Sequence, residues 1–535
     1  MASPVTYAVT SLPVHWRRPN EAGRAQRRAR GAGRRPGPRS PVCAKLRSSR
    51  GLTLSGRILR TRIDASSVAR QARGRGVGFP AAGAKQDNEP QLKLLICAIF
   101  LPEGLSFFIG DFRLSVARVL IFVFAIMALS QRGNGRSSVN VPSDSLALIT
   151  GAWMMIAATF TDGFTGLKGA GMDAITFSGT YLVFRYTLGP VNSSVRLMYF
   201  ACKVVLVVIA VAMLDPLTGR LATYDFIKGI TGYSKPAYES ALVLQAETLF
   251  RDGSIRAMGP LEHSILFGAV CAWFGIAALV TFRNKFFGWA MAIIALVAIL
   301  FSQAKSPLLA FGIGALLAGY YSITPRFTSR WKLAGLSATA LLATVFTFSG
   351  SPIATLVRLV GVSPESAWYR QAIWDVGTTV VLGSPLFGIG INGDWDWQSH
   401  GALVSGSVDA FWLAFAMSYG IPGSLLVLAT IVGACMLGSV DRSPYLTREE
   451  GRLSTALGIV VAMTVVLGFI VHFWGICWIL IAALAGVRAH LAEAAVVRGR
   501  AARVSNAQRE AAAVGLLKSG RGWTGARGMR APTAR

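Results

Sequence analysis

Trp368-Tyr-Arg-Gln-Ala-Ile-Trp374 and Gly383-Ser-Pro-Leu-Phe-Gly-Ile-Gly390 stand between long apolar runs, followed by Val408-Asp-Ala-Phe-Trp-Leu413 and Tyr419-Gly-Ile-Pro-Gly423. Together with the residues between them they form an island of Arg, Asp, His and Trp. In a membrane protein such an island is where polar chemistry is held against the bilayer. Composition fixes that class. Of 535 residues 53% are hydrophobic and 15% charged, and the mean hydropathy is +0.49, too apolar and too segregated for an ordinary soluble enzyme. The net charge of +29 would suggest nucleic acid if it covered a folded surface. It is concentrated instead in the two ends, so no nucleic-acid partner is expected.

Residues 1–90 carry Arg17-Arg18, Arg27-Arg28 and Arg34-Arg35 among Gly, Pro and Ser, with no apolar period. Such a segment cannot bury enough surface to offset its ordering entropy and reads as a disordered basic tail, or as an over-extended start. Residues 491–535 are similarly basic, with Arg498, Arg500, Arg503 and Arg509 in an Ala-rich stretch suited to a short surface helix.

Between the tails, residues 91–490 form the membrane domain. Runs of the length a bilayer requires fall near 92–109, 114–130, 145–160, 172–188, 197–214, 264–281, 287–302, 306–322, 332–349, 411–438, 454–471 and 473–487, roughly twelve in all. Pro102-Glu103 interrupts the first, and the fourth contains Asp173. The expected fold is all-α and polytopic, with two long connections, 215–262 and 350–410, the second lying before the last three spans. Lys and Arg cluster in the short connections, among them Arg132, Arg196, Arg283, Lys285, Arg326 and Lys332, which assigns these and both termini to the cytoplasm. The long connections hold more acids than bases and fall outside the cell membrane.

Cys97, Cys202, Cys271, Cys435 and Cys477 lie in apolar runs and imply packing rather than disulfides or zinc. No G-x-x-x-x-G-K-[ST] motif occurs, which argues against an ATP-driven pump. Gly388-Ile-Gly390 reads as a turn. Asp394-Trp-Asp396 offers two carboxylates without further ligands, so no metal or cofactor is expected.

The order of elements resembles the O-antigen ligase and O-antigen or exopolysaccharide polymerase superfamily of bacterial envelopes over roughly residues 92–487. Arg256-Ala-Met-Gly-Pro-Leu-Glu-His263 resembles the family's Arg-Ala-x-Gly-x-x-x-His stretch, and Phe301-Ser-Gln-Ala-Lys-Ser-Pro307 its polar turn between adjacent spans. Arg370 to Trp374 and Pro385 to Gly390 resemble Arg-x-x-x-Trp and Pro-x-x-Gly-x-Gly. Asp409-Ala-Phe-Trp-Leu413 with Gly420-Ile-Pro-Gly423 falls on His-Asn-x-x-Leu followed by Gly-x-x-Gly, and Asp in place of His is closer to the polymerase branch than to the ligases. The resemblance implies a helix re-entering the membrane after the large loop. It also implies a polyprenyl-pyrophosphate-linked glycan as donor at the outer face, attacked by a sugar hydroxyl, with chain-length regulator and export proteins as further partners.

Charge on the departing pyrophosphate must be held, which Arg does bidentately. Arg256 and Arg370 are the candidate pair, with Lys305 a third; the alternative is that they snorkel or pair with Glu262 and Asp375. Candidate bases for the acceptor hydroxyl are Asp409, His263, Glu262 and His400, with His400 and His472 ranked low. Asp409 has a second reading as a helix N-cap. Trp374 could stack on a sugar ring or belong to an interfacial belt. The expected function is polymerisation of lipid-linked glycan units, with a ligase or a transporter or flippase as alternatives.

Overall fold

The computed structural model describes residues 88–520 except 103, 110–111, 134–138, 190–191, 244–245, 247–248, 252, 328, 350–351, 353–354, 356–363, 394–407 and 437–444. The expected basic tail, apart from its last three residues, and the stretch containing Asp394, Asp396 and His400 lie outside the described residues. The fold is all-α and polytopic. Among the described residues, eight helical segments are long and apolar enough to cross a membrane, and Val116–Ser130 and Phe286–Phe301 are shorter apolar helices. Two antiparallel strand pairs, β1 (Ser106–Ile109) with β2 (Phe112–Ser115) and β3 (Phe250–Arg251) with β4 (Ser254–Ile255), complete the regular structure.

The first apolar run is shortened. Helix α1 (Glu89–Ile99) ends before Pro102, which cannot donate the helical hydrogen bond, and the chain continues as the β1–β2 hairpin into α2 (Val116–Gly133). The third and fourth runs are one helical segment, α3 (Pro142–Ala174), a π-helical turn (Ile175–Gly179) and α4 (Thr180–Tyr186), broken at Gly163 with φ 62°. This segment is a hairpin. Tyr181 donates to Asp144 Oδ1 at 2.7 Å and Ser178 to the Ala147 carbonyl at 2.6 Å, while a Cβ on Gly151 would meet Ser178. Each step towards the tip on one arm is matched on the other, so the arms run antiparallel from a turn that only glycine adopts freely. Each arm is roughly 30 Å long, one hydrocarbon thickness.

Helix α5 (Ser193–Ala212) leads to the first long connection, which contains α6 (Leu214–Thr218), α7 (Ala222–Thr231), α8 (Pro236–Val243) and the β3–β4 pair. Helices α9 (Ser264–Thr281), α10 (Phe286–Phe301), α11 (Lys305–Ile323) and α12 (Arg330–Phe348) follow, and the second long connection carries α13 (Pro364–Gly383). Next is α14 (Phe411–Met436), broken at Gly420 with φ 76° and ψ 170°. It too folds back. Ser424 donates to the Trp412 carbonyl at 3.1 Å, a pairing that a straight helix would hold roughly 18 Å apart. Residues 411–419 are therefore a short limb and 421–436 the long one. The turn after α13 clamps the break: Ile389 N–H donates to the Met417 carbonyl at 2.7 Å and Ile421 N–H to the Pro385 carbonyl at 2.9 Å. Asp162 at the hairpin tip accepts from Ile391 N–H at 2.8 Å.

Helix α15 (Arg448–Leu467) and α16 (Gly475–Gly520) close the bundle. The last span and the expected separate surface helix are one helix of 46 residues, because the Ala-rich basic sequence after residue 490 contains strong helix formers and no proline, and a lone Gly499 costs only about 1 kcal/mol against alanine.

The connections sort into two groups by their contacts. The hairpin tip, the first long connection, Ser302–Ser306, α13 and residues 467–475 touch one another through Asp162–Ile391, Arg256–Ser302, Arg370–Ser306, Trp374–Phe469 and Glu262 beside Gly475. Three of the short connections meet through Asn192–Glu450, Lys285–Glu449 and Arg452–Asn284, joined by Arg498–Glu450. Beside the second set, Arg185 is fully buried between Asp144 at 2.9 Å and Glu493 at 2.5 Å, tying the hairpin to α16. Ionisable groups therefore occur within the spans as well as in the long connections.

Candidate functional site

The turn between α10 and α11, Ser302-Gln-Ala-Lys-Ser306, is where the two arginine-bearing segments meet. Gln303 has φ 50°, a conformation unfavourable for a side-chain-bearing residue. The β3–β4 pair holds it there. Arg251 Nη1 donates to the Gln303 carbonyl at 2.8 Å, and Gln303 Nε2 donates to Ser254 Oγ at 2.7 Å. Arg256, only 4% exposed, donates from Nε to the Ser302 carbonyl at 3.0 Å, and Ala257 N–H donates to the Phe301 carbonyl at 3.1 Å. From the other side Arg370 Nη2 donates to Ser306 Oγ at 3.1 Å. Lys305, exposed, is the first residue of α11, so the turn also presents a helix N-terminus and its partial positive charge.

Trp374, one turn beyond Arg370 on α13, is buried. Its Nε1 donates to the Phe469 carbonyl at 3.0 Å and its ring stacks on Phe469 at 5.8 Å. Because residues four apart share a helix face, this packing also turns Arg370 inwards. Asp409 precedes the short limb of α14, and its carboxylate bears electrostatically on Arg370. Burial draws the Arg370 guanidinium below its ordinary range, and Asp409 opposes that shift. Ala410, not Asp409, holds the cap position, since its carbonyl accepts the first helical bond, from Ala414 N–H at 2.8 Å. The free amides of Phe411 and Trp412 donate to the Val471 and Gly468 carbonyls at 3.1 and 3.2 Å. The end of α15 thus supplies part of this helix's capping.

His263 and Glu262 lie at the start of α9. His263 is its N-cap, with Nδ1 accepting from Ile265 N–H at 3.1 Å. Burial, reinforced by the charges of Arg256 and Lys235, draws His263 down to about 4, so it is neutral at pH 7 with Nδ1 engaged. Glu262 accepts from the Tyr238 hydroxyl at its carbonyl, and its carboxylate stands against Gly475, whose φ is 51°. Trp474 bridges two histidines, with ring centroids 6.2 Å from His263 and 5.3 Å from His472.

Beyond Trp474 a cavity of about 360 Å³ opens between the β1–β2 hairpin, the second arm of the α3–α4 hairpin, the short limb of α14 and the start of α16. Glu262 reaches its wall, as do Arg118, Asp173, Tyr419 and His472. Asp173 accepts from the Tyr419 hydroxyl at 3.1 Å, and the charge of Arg118 bears on it. Sequence reading recorded Asp173 only as a blemish in a span and ranked His472 low. Its available signal was an uncompensated carboxylate in an apolar run, whose partners lie far away in the chain.

None of the curated proteins compared with the chain matches it. Residues 289–428 match the family model described as O-Antigen ligase, a stretch that includes Lys305, Arg370, Trp374 and Asp409 but not Arg256, Glu262 or His263. With its apolar helices the chain is a multi-pass membrane protein, and the stretch of residues 289–428 within it is similar to the O-antigen ligase family.

Proposed function

We propose that the chain is a glycosyltransferase that polymerises polyprenyl-pyrophosphate-linked oligosaccharide units at the outer face of the cytoplasmic membrane, with both termini cytoplasmic. The observation that carries this reading is the convergence of Arg256 and Arg370, from different long connections, on the turn that bears Lys305. Three cations and a helix N-terminus at one spot suit a pyrophosphate rather than a neutral ligand. In the proposed step an acceptor sugar hydroxyl attacks the anomeric carbon of the donor. The new glycosidic bond forms as the bond to the pyrophosphate oxygen breaks, its electron pair leaving with the polyprenyl pyrophosphate. Asp409 takes the hydroxyl proton, and the arginines and Lys305 hold the charge that grows on the leaving group. Glu262 and His263 border the substrate, and Trp374 sets the angle at which Arg370 meets it.

The family description favours a second reading, in which the same site transfers the glycan to an acceptor lipid or protein as a ligase. Transport draws less support. Arg185 and Asp144, the most buried charges of the spans, close on each other and on Glu493 instead of lining a path. The genetic test uses a strain lacking the gene. Arg256→Ala or Arg370→Lys should leave protein level and membrane insertion intact while abolishing long polysaccharide, since an ammonium is a point charge and cannot replace a planar fork. Normal chain length in both variants would remove the pyrophosphate clamp.

A further inference from the structure

The cavity beyond Trp474 differs chemically from the basic turn. Its ionisable wall groups are Arg118, Asp173, Glu262 and His472. Burial depresses His472 to about 4, so it contributes no charge at pH 7. Among the described residues one cation faces two carboxylates, a balance that repels a second phosphate while leaving polar groups for hydroxyls. The rest of the wall mixes aliphatic side chains and the hydroxyls of Thr176 and Ser418 with an aromatic group, Phe411, Phe415, Tyr419, Trp474 and Trp478, in which Phe415 and Tyr419 are 4.7 Å apart and Phe415 and Trp478 5.5 Å apart. Apolar faces joined to a few placed polar groups suit the two-sided surface of a sugar ring. An isoprenoid chain fits worse, because it would strand those polar groups without water.

Two further observations point to a ligand. His472 Nδ1 is buried at this wall and makes no hydrogen bond among the described residues. Such an atom costs free energy unless something fills its valence, and a sugar hydroxyl can. Asp173 lies midway along a membrane-spanning arm, where an ionisable group is costly unless it has a task, and its bond from Tyr419 leaves further lone pairs on the carboxylate. The volume of about 360 Å³ lies at the lower end of the range for small-molecule sites, roughly 300–1,000 Å³. Phe411 lines the cavity two residues beyond Asp409, and Glu262 is adjacent in sequence to His263, which feels the charge of Arg256. The cavity thus adjoins the proposed donor site.

We propose that this cavity is the acceptor subsite, taking a neutral, hydroxyl-rich sugar ring whose hydroxyls bond to Asp173 and His472. This rests on the glycosyl-transfer reading above. The probe is the free oligosaccharide released by mild acid from the producing strain's own lipid-linked units, titrated against full-length protein in nanodiscs and followed by tryptophan fluorescence. Asp173→Asn should weaken its binding about 10- to 100-fold, the worth of a hydrogen bond to a charged group, and raise the KM for acceptor similarly while leaving affinity for the lipid-linked donor unchanged. Ser418→Leu fills the cavity without touching the Asp173–Tyr419 bond, and should show the same loss should Asp173→Asn fail to fold. Equal oligosaccharide affinity in wild type and either folded variant would overturn the proposal. So would wild-type protein that polymerises lipid-linked units but does not bind the oligosaccharide, a result that leaves glycosyl transfer standing. Binding that depends on Asp173 in a protein without transfer activity would support the sugar site and sink the transfer reading instead.

Discussion

At the scale of single residues, the proposed chemistry turns on the contrast between Asp409 and Arg370. Arg370 is anchored by Ser306 and turned inwards by the packing of Trp374, whereas Asp409 stands next to the cap position of a helix whose first amides use carbonyls of α15. Asp409→Asn keeps the size of the side chain and lies outside the cap position, so the protein should still fold. The substitution should lower the rate of chain extension by about 10²–10⁴, the usual share of general-base catalysis, because an amide cannot take the proton. Asp409→His should recover part of that rate. Parallel measurement of melting temperature and single-turnover rate separates the roles, and an unchanged rate in Asp409→Asn would shift the search to Glu262 and His263. Arg256, Arg370 and Asp409 were legible as candidates because short motifs carry them. Asp173 was not, because its meaning depends on Tyr419 and Arg118, which no local pattern brings near it.

At the scale of elements, the break in α14 positions the site. A Cβ on Gly420 would run into the Leu386 carbonyl, and its φ of 76° is one that side-chain-bearing residues adopt at a cost. Gly420→Ala should therefore destabilise by more than the roughly 1–3 kcal/mol of backbone strain alone, and should lower chain extension at least tenfold in the protein that still folds. Gly312→Ala is the matched control. It lies inside α11 with nothing within 4 Å of the added methyl, and should be neutral or stabilise by about 0.5–1 kcal/mol. Melting curves in detergent check both, and equal tolerance of the two alanines would remove the clamp between residues 385–391 and the α14 break. The break was partly legible in Gly420-Ile-Pro-Gly423, but the direction of the fold-back was not, since it is fixed by hydrogen bonds from a distant turn. The two hairpin arms were legible as separate runs because each is a full hydrocarbon thickness long. The first run misled because apolar length outweighed Pro102 in the reading, whereas a proline removes a backbone donor whatever the hydropathy around it.

At the scale of the whole molecule, contacts gather several connections into two groups, and the Lys and Arg of the short connections predict that one group is cytoplasmic. Reporter fusions at Ser329 and Arg442 should be active only as cytoplasmic reporters, and fusions near Lys235 and Trp395 only as exported ones. An exported signal at Arg442 would put the proposed site on the wrong side. That the chain crosses repeatedly between two ends was legible because full-length apolar runs follow one another, and which end is cytoplasmic is what the fusions decide. The assembly of one basic turn from three segments was not legible, because it depends on packing across the bundle. The most direct test of the account is to supply purified full-length protein in nanodiscs with polyprenyl-pyrophosphate-linked repeat units and follow both glycan length and released polyprenyl pyrophosphate. The account predicts a ladder of longer lipid-linked chains with one polyprenyl pyrophosphate released per new bond, and no ladder from Arg370→Lys. Wild-type protein that forms no longer chains, or an equal ladder from Arg370→Lys, would contradict it.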